Sequence, residues 1–293
     1  MSDRKLFIVG NPYSGKRKLR KVIQNLSSFL NARNISYELH DTEASLSAEK
    51  TVADKLDTSF TDLIIVGGDG TINEAVNGLR FDIPVSIIPA GTGNDFVKMI
   101  NIGNSMKDHF ETAIDGQIKN IDLGVCNNRK FVNGIGIGFD GQIVEDMAEK
   151  KVALLSGHAA YYYHVIRILA GFRERSFSYN LDQKQYKKDL ILLTIGNGST
   201  FGGGFKLMPN ALLDDGLLEV CEIGELSGLK RFLNIHKLSN GSHESLNSVN
   251  FYQATSVTVE KNDLLFAHID GERMGQPPYE IKTLSKALRI RVC

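Results

Sequence analysis

Leu63-Ile64-Ile65-Val66-Gly67-Gly68-Asp69-Gly70-Thr71-Ile72-Asn73-Glu74 is the stretch that decides the fold. Four apolar residues in succession suit a short strand buried on both faces, as in a parallel sheet. The run stops at a glycine pair, where the strand gives way to a helix. The same unit recurs on either side. Leu6-Phe7-Ile8-Val9 reads as a buried strand, and Leu19, Val22, Ile23, Leu26, Phe29 and Leu30 follow at helical spacing. A strand over 35–39, a helix over 45–56 and a second apolar run, Val85-Ser86-Ile87-Ile88, complete the pattern. Strands alternating with helices predict a parallel α/β sheet, which binds ligands beyond the carboxyl ends of its strands.

After about Asp122 the texture changes. Strand-like runs follow one another at 130–137, 177–181, 190–195, 217–223, 256–259 and 264–269. Val257 and Val259 alternate with Ser256 and Thr258, as in a sheet with one wet face. Helical patches interrupt at 157–172 and 226–238. The expected organisation is an α/β domain over 1–124 and a second, mostly antiparallel β domain over 125–283. Leu288-Arg289-Ile290-Arg291-Val292 alternates as well and suits pairing with either domain, so 284–293 returning to the first is one arrangement.

Length, 293 residues, allows two ordinary domains, and a formal net charge of zero excludes a polycation built for nucleic acid. Charge is uneven all the same: between Lys150 and Lys188 eight Lys or Arg stand against Glu174 and Asp182, a local +6. Cys126, Cys221 and Cys293 are odd in number and far apart, which suggests neither a disulfide framework nor a zinc site. No signal-like segment precedes the first strand, and no apolar stretch approaches the ~18–20 residues of a membrane span. The expectation is a cytoplasmic protein that meets any lipid substrate by visiting the membrane's inner face transiently.

Three glycine-bearing turns carry the chemistry. They are Gly10-Asn11-Pro12-Tyr13-Ser14-Gly15-Lys16, then Gly67-Gly68-Asp69-Gly70-Thr71, then Pro89-Ala90-Gly91-Thr92-Gly93-Asn94-Asp95. Glycine lets backbone N–H groups approach an anion, and a following helix N-terminus adds partial positive charge. Three such turns at one sheet edge point to a phosphate-rich ligand. The first fits G-x-x-x-x-G-K, but Arg17 stands where a P-loop needs Ser or Thr for magnesium, which excludes a true P-loop. Lys16 suits either a phosphate contact or a solvated first-turn position. Asp69 and Asp95 each suit Mg²⁺ or ribose contact on one reading and a helix cap on the other.

Together with Ile72-Asn73-Glu74 and Val76-Asn77-Gly78, these turns resemble the diacylglycerol kinase catalytic domain, and most closely the bacterial soluble lipid kinases. The resemblance extends to Ile121-Asp122-Leu123-Gly124, Gly202-Gly203-Gly204, Asp214-Asp215-Gly216 and Asp270-Gly271-Glu272, nearly the whole chain. GGDGT alone is shared with NAD kinases and phosphofructokinases; the Asn-Pro-x-Ser-Gly turn and the Asn-Glu-x-Val-Asn-Gly continuation favour lipid kinases. The resemblance implies an NAD-kinase-like or phosphofructokinase-like first domain and an ATP site between two domains. It implies nucleotide contacts from Asn11, Pro12, Tyr13, Ser14, Gly15, Lys16, Thr42, Gly67, Gly68, Asp69, Gly70, Thr71, Ile72, Asn73, Glu74 and Thr92. Thr42 rests on the short match His40-Asp41-Thr42. It implies a structural Mg²⁺ in the second domain, held by Asp215 and the carbonyls of Leu212 and Leu217 with Asp122 nearby. It also implies Glu272 as general base, with Asp69 and Asp95 in the catalytic set.

From spacing alone, Glu272 reads as a surface glutamate in a hairpin turn, paired with Arg273, and Asp214-Asp215-Gly216 as a plain hairpin turn. The stretch from Tyr161 to Arg173, with Lys150 and Lys151, suits the interface of an anionic bilayer. It equally suits an ordinary helix with Tyr162, Val165, Ile168 and Leu169 in the core. The expected partners are therefore a lipid at a membrane surface, touched peripherally, and no nucleic acid; a homodimer is left open. Two rivals remain: a GGDGT kinase acting on NAD or a sugar phosphate, and a non-catalytic nucleotide-binding sensor at the membrane. Retention of Asp69, Asp95 and Glu272 together argues against the sensor.

Overall fold

Apolar runs bounded by glycine or proline become the interior strands of two units. The computed structural model describes residues 4–10, 18–42, 47–150, 158–169, 171–202 and 204–293. The chain divides into one unit of Met1–Ile121 with Lys286–Cys293 and another of Asp122–Ser285.

In the first unit the order is β1 Lys5–Gly10, α1 Lys18–Ala32, β2 Ser36–Asp41, α2 Ser47–Lys55, β3 Asp62–Gly67, α3 Asp69–Gly78, β4 Val85–Pro89 and α4 Met106–Asp115. The four strands are parallel in the order β2-β1-β3-β4. Their cover comes from the predicted periodicity: Leu19, Val22, Ile23, Leu26 and Leu30 of α1 pack with Phe110 and Ile114 of α4 on Leu6, Ile8, Ile64 and Val66. Each such side chain contributes about 1.5–3 kcal/mol on full burial. The carboxylate of Asp62, 2% exposed, lies 3.0 Å from Arg4 and 2.6 Å from Arg291. Those arginines also donate to the carbonyls of Ile114 and Gly116, so one buried carboxylate fastens both termini and the end of α4 to β3.

β5 Gln117–Cys126 carries the chain into the second unit, where β6 Arg129–Phe131, β7 Gly134–Gly138, α5 Phe139–Glu149, α6 His158–Leu169, β8 Arg175–Leu181, β9 Lys184–Leu190 and β10 Leu192–Gly196 follow. Next come β11 Leu218–Ile223, α7 Gly228–Asn240, β12 Val249–Ala254, β13 Ser256–Val259, β14 Ala267–Ile269 and β15 Glu272–Met274. β16, Tyr279–Val292, returns the chain to the first unit, where Ile290 pairs with Val85. One antiparallel sheet runs β12-β11-β10-β7-β14-β15. The other is built on β8, β9 and β13, with the start of β16 pairing antiparallel to β13. Side-chain alternation gives each strand two jobs. Leu193, Ile195 and Val220 face Phe177, Tyr179 and Val257 in the inter-sheet core. Leu192, Cys221 and Ile223 face Val165, Leu169 and Phe172 in a separate core with the helices.

Three expectations are corrected here. The run 130–137 is two strands, because the backbone breaks at Val132-Asn133, whose amides bond the distant Asp270. Of 264–269 only Ala267–Ile269 is strand: Leu264 is exposed and its amide is held by Asn262 in a turn. Tyr162 is exposed rather than in the core, whereas Val165 and Leu169 are buried.

Candidate active site

The first unit assembles the glycine turns. Parallel register sets Gly10 beside Val66 and Gly67 beside Pro89, so β1, β3 and β4 end at one edge. Asn11, Pro12, Tyr13, Ser14, Gly15 and Lys16 lie outside the described residues. Thr42 reaches the same edge: its amide donates to the Gly10 carbonyl at 3.0 Å, and it is buried.

The second and third turns touch backbone to backbone. A Cβ on Gly91 would stand 2.5 Å from the Cα of Gly68, so neither turn tolerates a side chain there. Asn94, at φ +49°, closes the third turn on itself: its Oδ1 accepts from the Gly91 amide and its Nδ2 donates to the Gly91 carbonyl, both at 3.1 Å. Thr92 is exposed on that turn. No side chain caps α3 at Gly68, which leaves its N-terminal dipole to act on whatever anion the turns hold.

Asp69 opens α3 but does not cap it; its Oδ1 accepts from the Phe96 amide at 3.1 Å and links the second turn to the third. Asp95 precedes the short helix Phe96–Met99 without capping it either, and pairs with Lys98 at 2.6 Å. The capping alternative thus gives way to a tie between turns for Asp69 and to a local i,i+3 ion pair for Asp95. In α3, Ile72 and Asn73 are buried, with the Asn77 amide on Asn73. The Glu74 carboxylate accepts from the Ala48 amide at 3.1 Å and anchors α2.

In the second unit a two-residue hairpin of Asp270 and Gly271, both at positive φ, joins β14 to β15. The Asp270 carboxylate accepts from the amides of Val132, Asn133 and Gly134 at 2.8, 3.0 and 2.8 Å. Glu272 follows as the first residue of β15, half-buried, with Oε2 3.2 Å from Arg129. Its partner is therefore Arg129 and not the expected Arg273, which pairs with Glu145.

Behind this turn lies a buried pair: Nε2 of His268 is 2.8 Å from Asp140. Nδ1 of His268 accepts from the Gly271 amide at 3.2 Å. Burial opposes protonation of this imidazole, but the Asp140 carboxylate, with Asp270 beyond it, outweighs burial and raises its pKa. Gly136 makes room for the pair, since a Cβ there would meet His268 at 2.5 Å. Arg129, Asp140 and His268 were not legible in sequence, because each meets its partner across more than a hundred residues.

The proposed cation ligands lie on a third turn. Asp122, fully buried, accepts from the Gly216 amide at 2.6 Å and donates its own amide to the Leu213 carbonyl at 2.6 Å. Asp215 is exposed and accepts from the Leu217 amide at 3.0 Å; Leu212 is exposed beside it. Asp122 reaches this turn from β5, and carboxylate and carbonyl oxygens are the donor type a hard cation takes. Among the described residues no group of three or more His, Cys, Asp or Glu side chains forms a metal cluster. No helix among them is long and apolar enough to cross a membrane.

Comparison with known proteins adds lineage. The diacylglycerol kinase catalytic domain matches residues 5–126, and the YegS C-terminal NAD kinase beta sandwich-like domain matches residues 133–292. A diacylglycerol kinase of Staphylococcus saprophyticus is 27% identical over 290 residues, covering 97% of this chain and 93% of that one. One of Staphylococcus aureus is 29% identical over 293 residues, covering 97% and 90%. Among solved structures, a diacylglycerol kinase from Bacillus anthracis superposes with a TM-score of 0.74 at 22% identity, over 99% of this chain and 97% of that one. An NAD kinase from Archaeoglobus fulgidus in complex with ATP gives 0.52 at 12%, over 98% and 92%. These structural likenesses establish the fold: an α/β unit with a parallel sheet followed by a β-sandwich unit.

Proposed function

The chain belongs to the diacylglycerol kinase catalytic-domain family and is a lipid kinase, and we propose that it transfers the γ-phosphoryl group of ATP to the hydroxyl of diacylglycerol. One observation carries the proposal: β1, β3 and β4 end side by side at one sheet edge, where the glycine turns after β3 and β4 bring Asp69 and an uncapped helix terminus. Their amides are suited to ATP phosphates. The assigned nucleotide residues are Asn11 to Lys16, Thr42, Gly67 to Glu74, and Thr92. Mg²⁺, when bound with ATP, neutralises charge on the transferring group, and the Asp69 carboxylate is the residue suited to face it. A second cation on Asp215, the carbonyls of Leu212 and Leu217, and Asp122 would brace the turn of the second unit.

Transfer needs the acceptor hydroxyl to lose its proton as its oxygen bonds to the γ-phosphorus. The bond from that phosphorus to the β,γ-bridging oxygen breaks, and ADP leaves. Glu272 takes the proton, held in place by Arg129 and by the turn that Asp270 fastens. The acceptor is met at the cytoplasmic face of a membrane. The test is a γ-labelled ATP assay on diacylglycerol, ceramide, sphingosine, phosphatidylglycerol and undecaprenol in mixed micelles, with NAD in parallel. Label on diacylglycerol is the expected result. Label on NAD alone, or on another lipid in preference, overturns it.

A further inference from the structure

His268 is the middle residue of β14 and shares a row across the sheet with Gly136 of β7 and Arg273 of β15. α5 supplies a carboxylate to each side chain of that row, Asp140 to His268 and Glu145 to Arg273. The arginine pair is exposed, whereas His268 and Asp140 are both buried. A buried ion pair adds little stability over apolar residues of the same volume, so its use lies in what it touches. His268 touches Gly271. A backbone amide can only donate, so Nδ1 of His268, 3.2 Å away, is the bare nitrogen of the ring. The proton of the neutral imidazole then stands on Nε2 and is given to the Asp140 carboxylate at 2.8 Å, which fixes this tautomer.

Gly271 joins Asp270, which three amides fasten, to Glu272. It stands at φ +86°, and a Cβ there would meet nothing within 4 Å, so no packing holds this peptide from that side. The His268 ring holds it from the other. A protonated ring could not: both nitrogens would carry hydrogen, and Nδ1–H would face the Gly271 N–H, donor against donor. Burial opposes that state, yet Asp140 from α5 and Asp270 from the hairpin favour it and raise the pKa of His268 above its ordinary 6.5. The other charged groups near the ring are paired: Arg273 with Glu145, and Glu272 with Arg129. β7 offers the ring only Gly136.

We propose that neutral His268, oriented by Asp140, is a positioning residue for phosphoryl transfer: its Nδ1 holds the Gly271 peptide and so aims Glu272, and its protonation lets that peptide go and slows the transfer. The assignment rests on the reading of Glu272 as the base. Transfer is then fast above the pKa of His268 and declines as pH falls through it. The full chain, labelled with ¹⁵N in its histidine rings and backbone amides, is titrated by NMR from alkaline to acid pH, and single-turnover transfer to diacylglycerol is followed over the same range. At alkaline pH His268 should carry its proton on Nε2 alone. As pH falls Nδ1 should gain a proton, and the Gly271 amide resonance and the transfer rate should change at the same midpoint. A proton on Nδ1 throughout, or a Gly271 amide indifferent to the ring, overturns the proposal.

Two substitutions divide the ring's two bonds. His268→Asn keeps an oxygen where Nδ1 stands but does not reach Asp140; His268→Gln keeps a donor where Nε2 stands but offers Gly271 nothing. The Asn variant should retain the larger share of the rate and lose the acid limb at the His268 midpoint. The Gln variant should be slower again by about two- to tenfold, the equivalent of one neutral hydrogen bond, with KM for ATP unmoved in both. A merely structural role would lower both melting temperatures and leave the pH profile in place, so equal rates in the two variants, or a wild-type acid limb in the Asn variant, overturns the positioning role. If neither variant folds, the wild-type titration decides alone. Glu272→Gln in the same assay separates the two readings. A deep loss there, with wild-type transfer indifferent to the His268 midpoint, overturns this proposal and spares the base; wild-type transfer there overturns the base and this proposal with it.

Discussion

Asp270 should be the residue whose loss costs the second unit most for its size. Its carboxylate is the acceptor for three consecutive amides, Val132, Asn133 and Gly134, all buried. Replacement by Ala leaves those donors without it. An unsatisfied buried donor costs about 1–3 kcal/mol, so the three together give about 3–6 kcal/mol once some relaxation is allowed. Asp270→Asn separates the contributions. Oδ1, which serves Asn133 and Gly134, is retained, while an NH₂ group faces the Val132 amide in place of Oδ2. One donor is then opposed, for about 1–3 kcal/mol. Urea denaturation and calorimetry of both variants measure this, with the melting temperature falling by roughly 2–4 °C for each kcal/mol. Turnover should fall in both, because the same turn carries Glu272, while nucleotide affinity stays at the wild-type value. Wild-type stability in Asp270→Asn, or equal losses in Asn and Ala variants, would refute the three-bond bracket.

Asp69→Asn keeps an oxygen for the Phe96 amide but loses the charge, so it should fold normally and lose nearly all turnover; wild-type rates in it would remove Asp69 from the chemistry. Asp62→Ala should cost about 3–5 kcal/mol in urea denaturation, the range for a buried pair deprived of one partner. Burial favours the neutral Asp62, but hydrogen bonds from Thr61, Arg291 and Arg4 prevail and lower its pKa below the ordinary 3.8. Its contribution is therefore complete above that value and vanishes as pH falls through the lowered one, so the gap between variant and wild type should close in strong acid. Asp215→Ala should erase any rise in melting temperature that Mg²⁺ gives the wild type; a wild-type melt indifferent to Mg²⁺ refutes the cation site.

Legibility in the sequence followed burial. Strands at 63–66 and 85–88 were plain because parallel strands buried on both faces read as unbroken apolar runs. β9, Lys-Gln-Tyr-Lys-Lys-Asp-Leu, does not read as a strand because most of it is wet; only Tyr186, stacked on Tyr179 of β8, and Leu190 meet the core. α5 was missed because it opens abruptly from Gly138 at φ +95° and buries Asp140 and Asp146 where periodicity expects apolar residues. The second and third glycine turns could be named in sequence, since Gly68 and Gly91 stand where the two backbones approach too closely for a side chain. What holds Glu272 could not: Arg129, the Asp270 bracket and the His268–Asp140 pair are contacts between distant segments, and no local spacing encodes them.

The central claim is that Glu272 accepts the proton in a transfer whose nucleotide is held elsewhere. Single-turnover phosphorylation of diacylglycerol by Glu272→Gln, with ATP affinity measured on the same preparation, tests it most directly. The substitution keeps shape and removes the basic oxygen, so the transfer rate should fall by about 10²–10⁴-fold with ATP binding unchanged. Glu280→Gln, at an exposed position outside the hairpin, should do little. Transfer at the wild-type rate in Glu272→Gln would contradict the account and send the search for the base to Asp95.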